Sequence, residues 1–474
     1  MLNRINIMIN LKTLKNQKFN KFKLLEILFC TLPISFIVGN LILSLHLCIF
    51  LIMSLFIIKK EKLNFNFQRS YWLIIVFFLY FFLSTVIQFN IPGVLNDAIF
   101  SQNTSWESHP AFKSFLLIRF LILVFIIDIL FFNQIIKLKN LFLITCICTS
   151  FVSIDIIIQH FSGVDLFGLK SSGNRNSGPF GDELIAGGYL GKFSFLTFFY
   201  ISDLSKNKKF NFLLIFIVAV HLLGILLSGN KMPMLLFFFG SFLILIFIKQ
   251  LRLTMVCGIL IFILASLLIF KNDPIMNNTY TSFFYQINLI NYSKKVEQSK
   301  KTNTNEGVEV SIDNNKKSYN FDFLKYSGHN VIYNTAFIMW TKQPIFGFGQ
   351  KSFRIKCHEI DSPETLYINT MILPEGCSTH PHNYYLEILS ESGIIGAILL
   401  ITFFIILLKN SIANQLETRH LINPEKYLLI PLILVFFLEI WPLRSTGSFF
   451  TTWNASFFWM IVGILLASNS KKIS

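Results

Sequence analysis

Apolar residues run through this chain in long blocks separated by short polar breaks. Twelve blocks stand out, at 24–38, 41–58, 72–90, 114–132, 141–160, 184–202, 212–228, 232–248, 253–270, 383–408, 427–444 and 453–468. Most are roughly 17 to 20 residues long or longer, the length at which a helix crosses a hydrocarbon core. The pattern predicts an all-α polytopic membrane protein with about twelve transmembrane helices. It divides the chain into a basic N-terminus (1–23), spans 1–9 (24–270), a polar segment (271–382), spans 10–12 (383–468) and a tail (469–474).

The polar segment between spans 9 and 10 has two parts. Residues 291–320 are rich in Lys, Asn and Ser without a period, the composition of a flexible insert. From Tyr326 the character changes: Val331, Ile332, Thr335, Ala336, Met339 and Trp340 recur as one face of an amphipathic helix. That helix is expected to stop at Gln343-Pro344, before a turn at Gly347-Phe348-Gly349.

Composition sharpens this picture. A hydrophobic content of 53% and a mean hydropathy of +0.60 exclude an ordinary soluble enzyme of 474 residues. The net charge of +16 does not point to nucleic acid, because the lysines stand at block ends and no soluble basic domain gathers them. With the N-terminus in the cytoplasm, one set of connections carries Lys59, Lys60, Lys62, Arg69, Lys137, Lys139, Lys206, Lys208, Lys209, Lys249, Arg252, Lys409, Arg419, Lys426, Lys471 and Lys472. The opposite short loops carry only Lys113, Lys170, Arg175, Lys231 and Arg444. This asymmetry places both termini in the cytoplasm and 271–382 outside. The basic N-terminus lacks a small-residue cleavage site before its apolar block and is expected to lead into a retained span. Cys30, Cys48, Cys146, Cys148 and Cys257 lie in apolar blocks, as small core residues do; Cys357 and Cys377 lie in the polar segment and can pair if it is outside the cytoplasm.

Candidate chemistry gathers where the polar segment meets span 10, at Ser378-Thr379-His380-Pro381-His382-Asn383. Pro381 suits a first helical position, with Thr379 or His380 as the cap and His382 in the first turn. His382, Leu386, Leu389, Gly393 and Gly396 then share a stripe, and the two glycines would admit a neighbouring helix. Arg119 and Asp128 fall inside span 4, where charge is costly and often functional. They are too far apart along the helix to be an i, i+4 pair. Asp155 and Glu439 read as buried hydrogen-bond partners, and Glu391 as the partner of a cation. There is no Gly-rich phosphate loop, no Cys/His spacing of a zinc site, and no cytoplasmic loop large enough for a nucleotide-sugar domain.

His382-Asn383, nine residues, then Gly393-Ile394-Ile395-Gly396 resembles the signature of the O-antigen ligase and O-antigen polymerase family. The run Trp340–Gly349 looks like that family's approach to the same histidine. Ser228-Gly229-Asn230-Lys231 resembles its Ser-x-Ser-Arg element, and Arg175 with Gly178, Pro179 and Phe180 its Arg-x-x-Gly-x-Phe element. The likeness covers about 170–405, and two positions depart from it: Lys231 stands where arginine is usual, and His329 near where an arginine often precedes the loop helix.

The resemblance implies a GT-C-like glycosyltransferase of the bacterial inner membrane. Such an enzyme takes glycan from an undecaprenyl-diphosphate carrier at the periplasmic face, with no cofactor or metal. It implies His382 as the base and Arg175 and Lys231 on the diphosphate. Arg444, placed by the topology at the same boundary, and Arg119 in span 4 are expected to assist, Arg354 to compensate for Lys231, and His380 and Asn383 to join the substrate-binding site. Lysine binds phosphate as a point charge and lacks the arginine fork. The acceptor is the lipid A core (a ligase), another carrier-linked glycan (a polymerase) or a protein. The rival class is a secondary transporter. Such carriers often show two related halves with broken helices, and here only the second half holds a long polar segment.

Overall fold

The computed structural model describes residues 21–90, 110–204, 211–286, 329–359, 367–368, 371–372, 376–417 and 427–470. The flexible insert expected at 291–320, most of the basic N-terminus and the last four residues lie outside them.

A helix occupies each of the twelve apolar blocks. The first block holds α1 (Lys21–Cys30) and α2 (Leu32–Val38), separated at Thr31 just before Pro33, a residue that cannot donate to a continuing helix. Next come α3 (Asn40–Glu61), α4 (Ser70–Asn90), α5 (Pro110–Leu116), α6 (Ile118–Phe132) and α7 (Leu138–Ser162). They are followed by α8 (Ala186–Leu204), α9 (Asn211–Leu227), α10 (Lys231–Phe247), α11 (Arg252–Asn272) and α12 (Pro274–Gln286). The polar segment contributes α13 (His329–Lys342), and α14 (Tyr384–Glu417), α15 (Ile430–Glu439) and α16 (Thr452–Ser470) complete the order. The β structure described is a two-residue pair, Tyr367–Ile368 against Met371–Ile372, and an isolated bridge between Val164 and Lys170.

Six segments among the described residues are long and apolar enough to cross a membrane: Asn40–Glu61, Ser70–Gln88, Pro110–Phe132, Leu138–Ser162, Lys249–Asn272 and Tyr384–Glu417. The surface agrees with that solvent. α11 leaves Leu253, Leu260, Leu264, Leu267 and Leu268 each more than half exposed, a stripe that would be unfavourable in water at ~25 cal/mol per Å². This is a helical membrane protein.

α16 forms the axis of the bundle. Every residue from Trp453 to Ser468 is buried, as an element surrounded by protein requires. It packs along α6, where a Cβ on Gly463 would come 2.9 Å from Ile127 Cβ. The 427–444 block departs from expectation: α15 has only 10 residues between turns. Trp441-Pro442 halts it, because a residue before proline is pushed out of the helical region.

α14 is broken. Gly393 takes φ 63° and ψ −169°, and the loop Pro344–Gly349 fills the gap. Phe348 N donates to Ser390 O at 3.0 Å and Gly349 N to Glu391 O at 2.8 Å, while Ile394 N donates to Pro344 O at 2.8 Å. The predicted stripe from His382 to Gly396 is therefore interrupted. A Cβ on Gly393 would lie 2.2 Å from Ile345 O, so this glycine admits a loop backbone, not a neighbouring helix. The loop satisfies the groups that the break releases, which a membrane interior demands.

A histidine turn beside a charged cavity

The turn that carries His382 is set by three local constraints. The Cys357–Cys377 disulfide ties its start to the short helix Phe353–Lys356. Arg354 Nη2 donates to Thr379 O at 3.2 Å. At its end, Asn383 caps α14: its Oδ1 accepts from Tyr385 N at 3.0 Å and Leu386 N at 3.2 Å. This corrects the expected cap, since Pro381 and His382 lie outside the helix and neither Thr379 nor His380 caps it. Asparagine satisfies the orphan amides of a first turn well, and His382 before it adopts φ 56°. Cys357, His358 and Cys377 bring three metal-type ligand atoms within 4.8 Å of one another. The disulfide uses both sulfurs, so no thiolate remains there to bind an ion.

Three imidazoles gather at this turn. The rings of His380 and His382 are 4.1 Å apart and those of His329 and His382 4.9 Å apart. His382 Nε2 is 3.2 Å from Ser378 Oγ, and Thr379 Oγ1 is 2.9 Å from His380 Nδ1. Burial lowers the pKa of His382, against a hydrogen bond to the Thr446 backbone that favours its charged form. Burial followed by the neighbouring His382 pushes His329 down to about 4. The same two causes, with Arg354 and His329 adding, push His380 down to about 4. At neutral pH His382 is an uncharged ring ready to accept a proton, and its neighbours resist sharing it.

The turn is bound to a second feature through the loop after α15. Thr446 N donates to His382 O at 2.9 Å, and Asn383 Nδ2 donates to Pro442 O at 2.8 Å and Arg444 O at 3.2 Å. Glu387, one turn into α14, receives Ser448 Oγ and, at 2.7 Å, Phe449 N. Arg444, Ser445 and Thr446 then line a cavity of about 310 Å³ between α8, α10, α15 and the start of α16. Inside it Glu439 forms ion pairs with Arg444, Oε1 to Nη1 at 2.6 Å, and with Lys192, Oε2 to Nζ at 2.6 Å. Lys192 also lies over the rings of Phe457 and Trp453, at 4.7 and 5.3 Å. Sequence reasoning did not single out Lys192. The signal was there: a lone lysine early in the apolar block 184–202, and a lone glutamate late in 427–444, each costly unless paired.

The other candidates are dispersed around this core. Arg175 is exposed and packs against the Ser228–Lys231 turn, so close that a Cβ on Gly229 would meet Asn174 O at 2.3 Å and Arg175 Cγ at 3.0 Å. Lys231 Nζ lies 5.6 Å from the Phe283 ring centre; its neighbours Asn230 and Met232 line the cavity. The structure thus joins the two short elements that carry Arg175 and Lys231, at the rim of the cavity and not inside it. Arg119 does not line the cavity: its Nη2 donates to Thr452 Oγ1 at 3.0 Å. Asp128 accepts from the Tyr71 hydroxyl, and Asp155 accepts from Leu166 N at 2.9 Å. Glu391 departs from expectation. Its carboxylate meets the Lys351 backbone, and Oε2 is buried without a partner. The break at Gly393 turns this stretch of α14 onto a loop backbone; Lys351 and Arg354 act on the carboxylate electrostatically, without a close ion pair among the described residues.

Fold and site together define a polytopic helical membrane protein with an imidazole turn fastened to a cationic cavity at one end of its bundle. Residues 214–401, about two fifths of the chain, match the family model described as O-antigen ligase, which supports that family for this part of the chain. The match spans α9 to the middle of α14, including Lys231, His382 and Asn383, and leaves Arg175, Lys192, Glu439 and Arg444 outside. No curated protein matches the chain.

Proposed function

We propose that this protein transfers glycan from undecaprenyl diphosphate to the lipid A core of lipopolysaccharide at the periplasmic face of the bacterial inner membrane. The helices are read as about twelve crossings in a GT-C-like arrangement, with both termini in the cytoplasm and 271–382 in the periplasm. The Cys357–Cys377 disulfide supports that side for the segment.

The observation that carries the reading is the tie between a neutral histidine and a cavity holding cations, through the 442–447 loop. Transfer needs both parts. The acceptor hydroxyl attacks the anomeric carbon from the face opposite the diphosphate, and its proton passes to the imidazole of His382. The bond between the anomeric carbon and the phosphate oxygen breaks, and the electron pair leaves with undecaprenyl diphosphate, so the configuration inverts. Cations stabilise the charge on that leaving group. Arg444 serves inside the cavity, Arg175 and Lys231 at its rim, and Arg119 and Arg354 at greater remove. No cofactor takes part in this scheme.

The test is glycan transfer by purified protein in reconstituted membranes, given a carrier-linked oligosaccharide with lipid A–core or with no second acceptor. Product on lipid A–core is expected. Lengthening of the carrier-linked glycan alone would replace the ligase by a polymerase, and transfer only to an added protein would make it a protein glycosyltransferase. A folded protein that binds no carrier and moves a small solute across the membrane would be a transporter.

A further inference from the structure

We infer that the Lys192–Glu439–Arg444 triad is the seat of the donor's diphosphate, with Lys192 as a second binding cation and Glu439 as the resident counter-charge that the diphosphate displaces. This rests on the transferase reading and adds a residue and a binding mode to it.

The argument begins with what the triad costs. The side chains of Lys192 and Glu439 are 3% and 4% exposed, and that of Arg444 10%. Taking charges out of water is expensive, and apolar side chains of similar volume often hold a protein together better than a buried ion pair. A membrane bundle assembled for stability alone has little use for a lysine among Trp453 and Phe457. The charges are also unequal in number: two cations face one carboxylate. Glu183, the other acid on the cavity wall, is exposed at the rim and engaged by Asn40 Nδ2 at 3.4 Å, where solvent screens it. The interior thus holds surplus positive charge.

The donor groups are not used up either. Lys192 has three N–H donors and a short contact to a single carboxylate; Arg444 has five and spends Nη1 there. The rest have room, since the triad lines a cavity of about 310 Å³ and is not sealed inside packed helices. A diphosphate offers more acceptor oxygens and more negative charge than Glu439, so it completes the hydrogen bonding that the carboxylate begins. Meanwhile Glu439 holds both cations in place while the cavity is empty. Geometry links the seat to the reaction: the Asn383 side chain holds the backbone of Arg444 itself, next to His382.

The experiment measures binding of undecaprenyl diphosphate and of neutral undecaprenol to the purified full chain, together with KM and kcat for glycan transfer. Lys192→Met removes the charge at similar length, and Lys192→Arg restores it. We expect Lys192→Met to weaken undecaprenyl diphosphate binding and raise KM about tenfold or more, the loss of a charge-assisted contact. Undecaprenol binding should stay unchanged, and Lys192→Arg should recover most of the affinity. Lys192→Met that binds the diphosphate as well as wild type overturns the assignment. Equal weakening toward undecaprenol also overturns it, because the lysine is then structural. Glu439→Gln tests displacement separately: it keeps both cations and removes the competing charge, so diphosphate binding should tighten. Unchanged or weaker binding overturns the displacement. The two readings fail differently. Normal KM in Lys192→Met alongside working wild-type transfer sinks the triad alone. Lysine-dependent diphosphate binding without transfer to any acceptor sinks the transferase and leaves the triad.

Discussion

The histidine turn and the triad cavity share a loop, yet they hold their charge by opposite means. In the cavity each cation touches a carboxylate at 2.6 Å, so each charge has an opposite charge fixed beside it. At the turn, His380 and His382 form no ion pair with a carboxylate among the described residues, and burial keeps both rings uncharged. A leaving group needs the first arrangement and a proton acceptor the second. A carboxylate facing His382 would favour the protonated ring and leave less of the free base at neutral pH. A cavity without Glu439 would leave two buried cations facing each other.

The largest expected effect comes from removing the titrating half. His382→Ala should lower kcat by about a hundredfold to ten-thousandfold, the usual worth of a positioned base. Binding of the carrier should survive, because the triad is untouched. Transfer near the wild-type rate in reconstituted membranes would take the base role away from His382.

Breaking the fixed half acts on stability instead. Glu439→Ala leaves Lys192 and Arg444 buried without a partner, and losing one member of a buried pair costs about 3–5 kcal/mol. Thermal unfolding in detergent should register it as a clear drop in midpoint. An unchanged midpoint would mean that water already reaches the triad and that its charges are not buried ones.

A smaller effect is expected at the joint between α14 and its docked loop. Gly393→Ala forces a side chain into φ 63° and against Ile345 O. A residue held in so strained a backbone costs on the order of 1–3 kcal/mol. Gly396 offers the contrast, because its backbone is helical and a Cβ there would meet the adjustable Ser392 side chain first. Alanine at 396 should be milder than alanine at 393. Equal losses would say that Gly393 matters only for space.

Much of the fold was legible because the bilayer asks one question of every residue, and apolar blocks answer it locally. The details that make the site were not local. Gly393 reads as a small residue on a stripe, and its true role depends on the loop Pro344–Gly349 lying across the break. Asn383 was visible as part of a motif, but its work as cap and as clamp on Pro442 and Arg444 requires knowing that α15 ends beside it. Lys192 and Glu439 lie some 250 positions apart, so only a search for charges stranded in apolar blocks would have matched them. Glu391 was expected to partner a cation; the cations that act on it, Lys351 and Arg354, lie on the segment packed beside α14 and not on its own helix. A break of this kind also belongs to transporters; here a loop fills it, and the charged groups gather around α15 and the turn instead.

The mildest perturbation is pH, and its sign follows from the turn. His382 has a folded pKa below 6.5, so its neutral form exceeds half at pH 6.5 and approaches all of it by pH 8. If it is the base, transfer should vary by less than about twofold between pH 8 and 6.5, then fall as pH drops through the folded pKa. Stability moves the same way. His329 and His380, at about 4 when folded and at the ordinary 6.5 when unfolded, make the unfolded chain bind more protons between those values. Their contribution is complete above about pH 6.5 and is lost as pH falls toward 4. An acid limb that begins above pH 7 would mean that His382 is protonated more easily than its burial allows, and that some other group answers for the base.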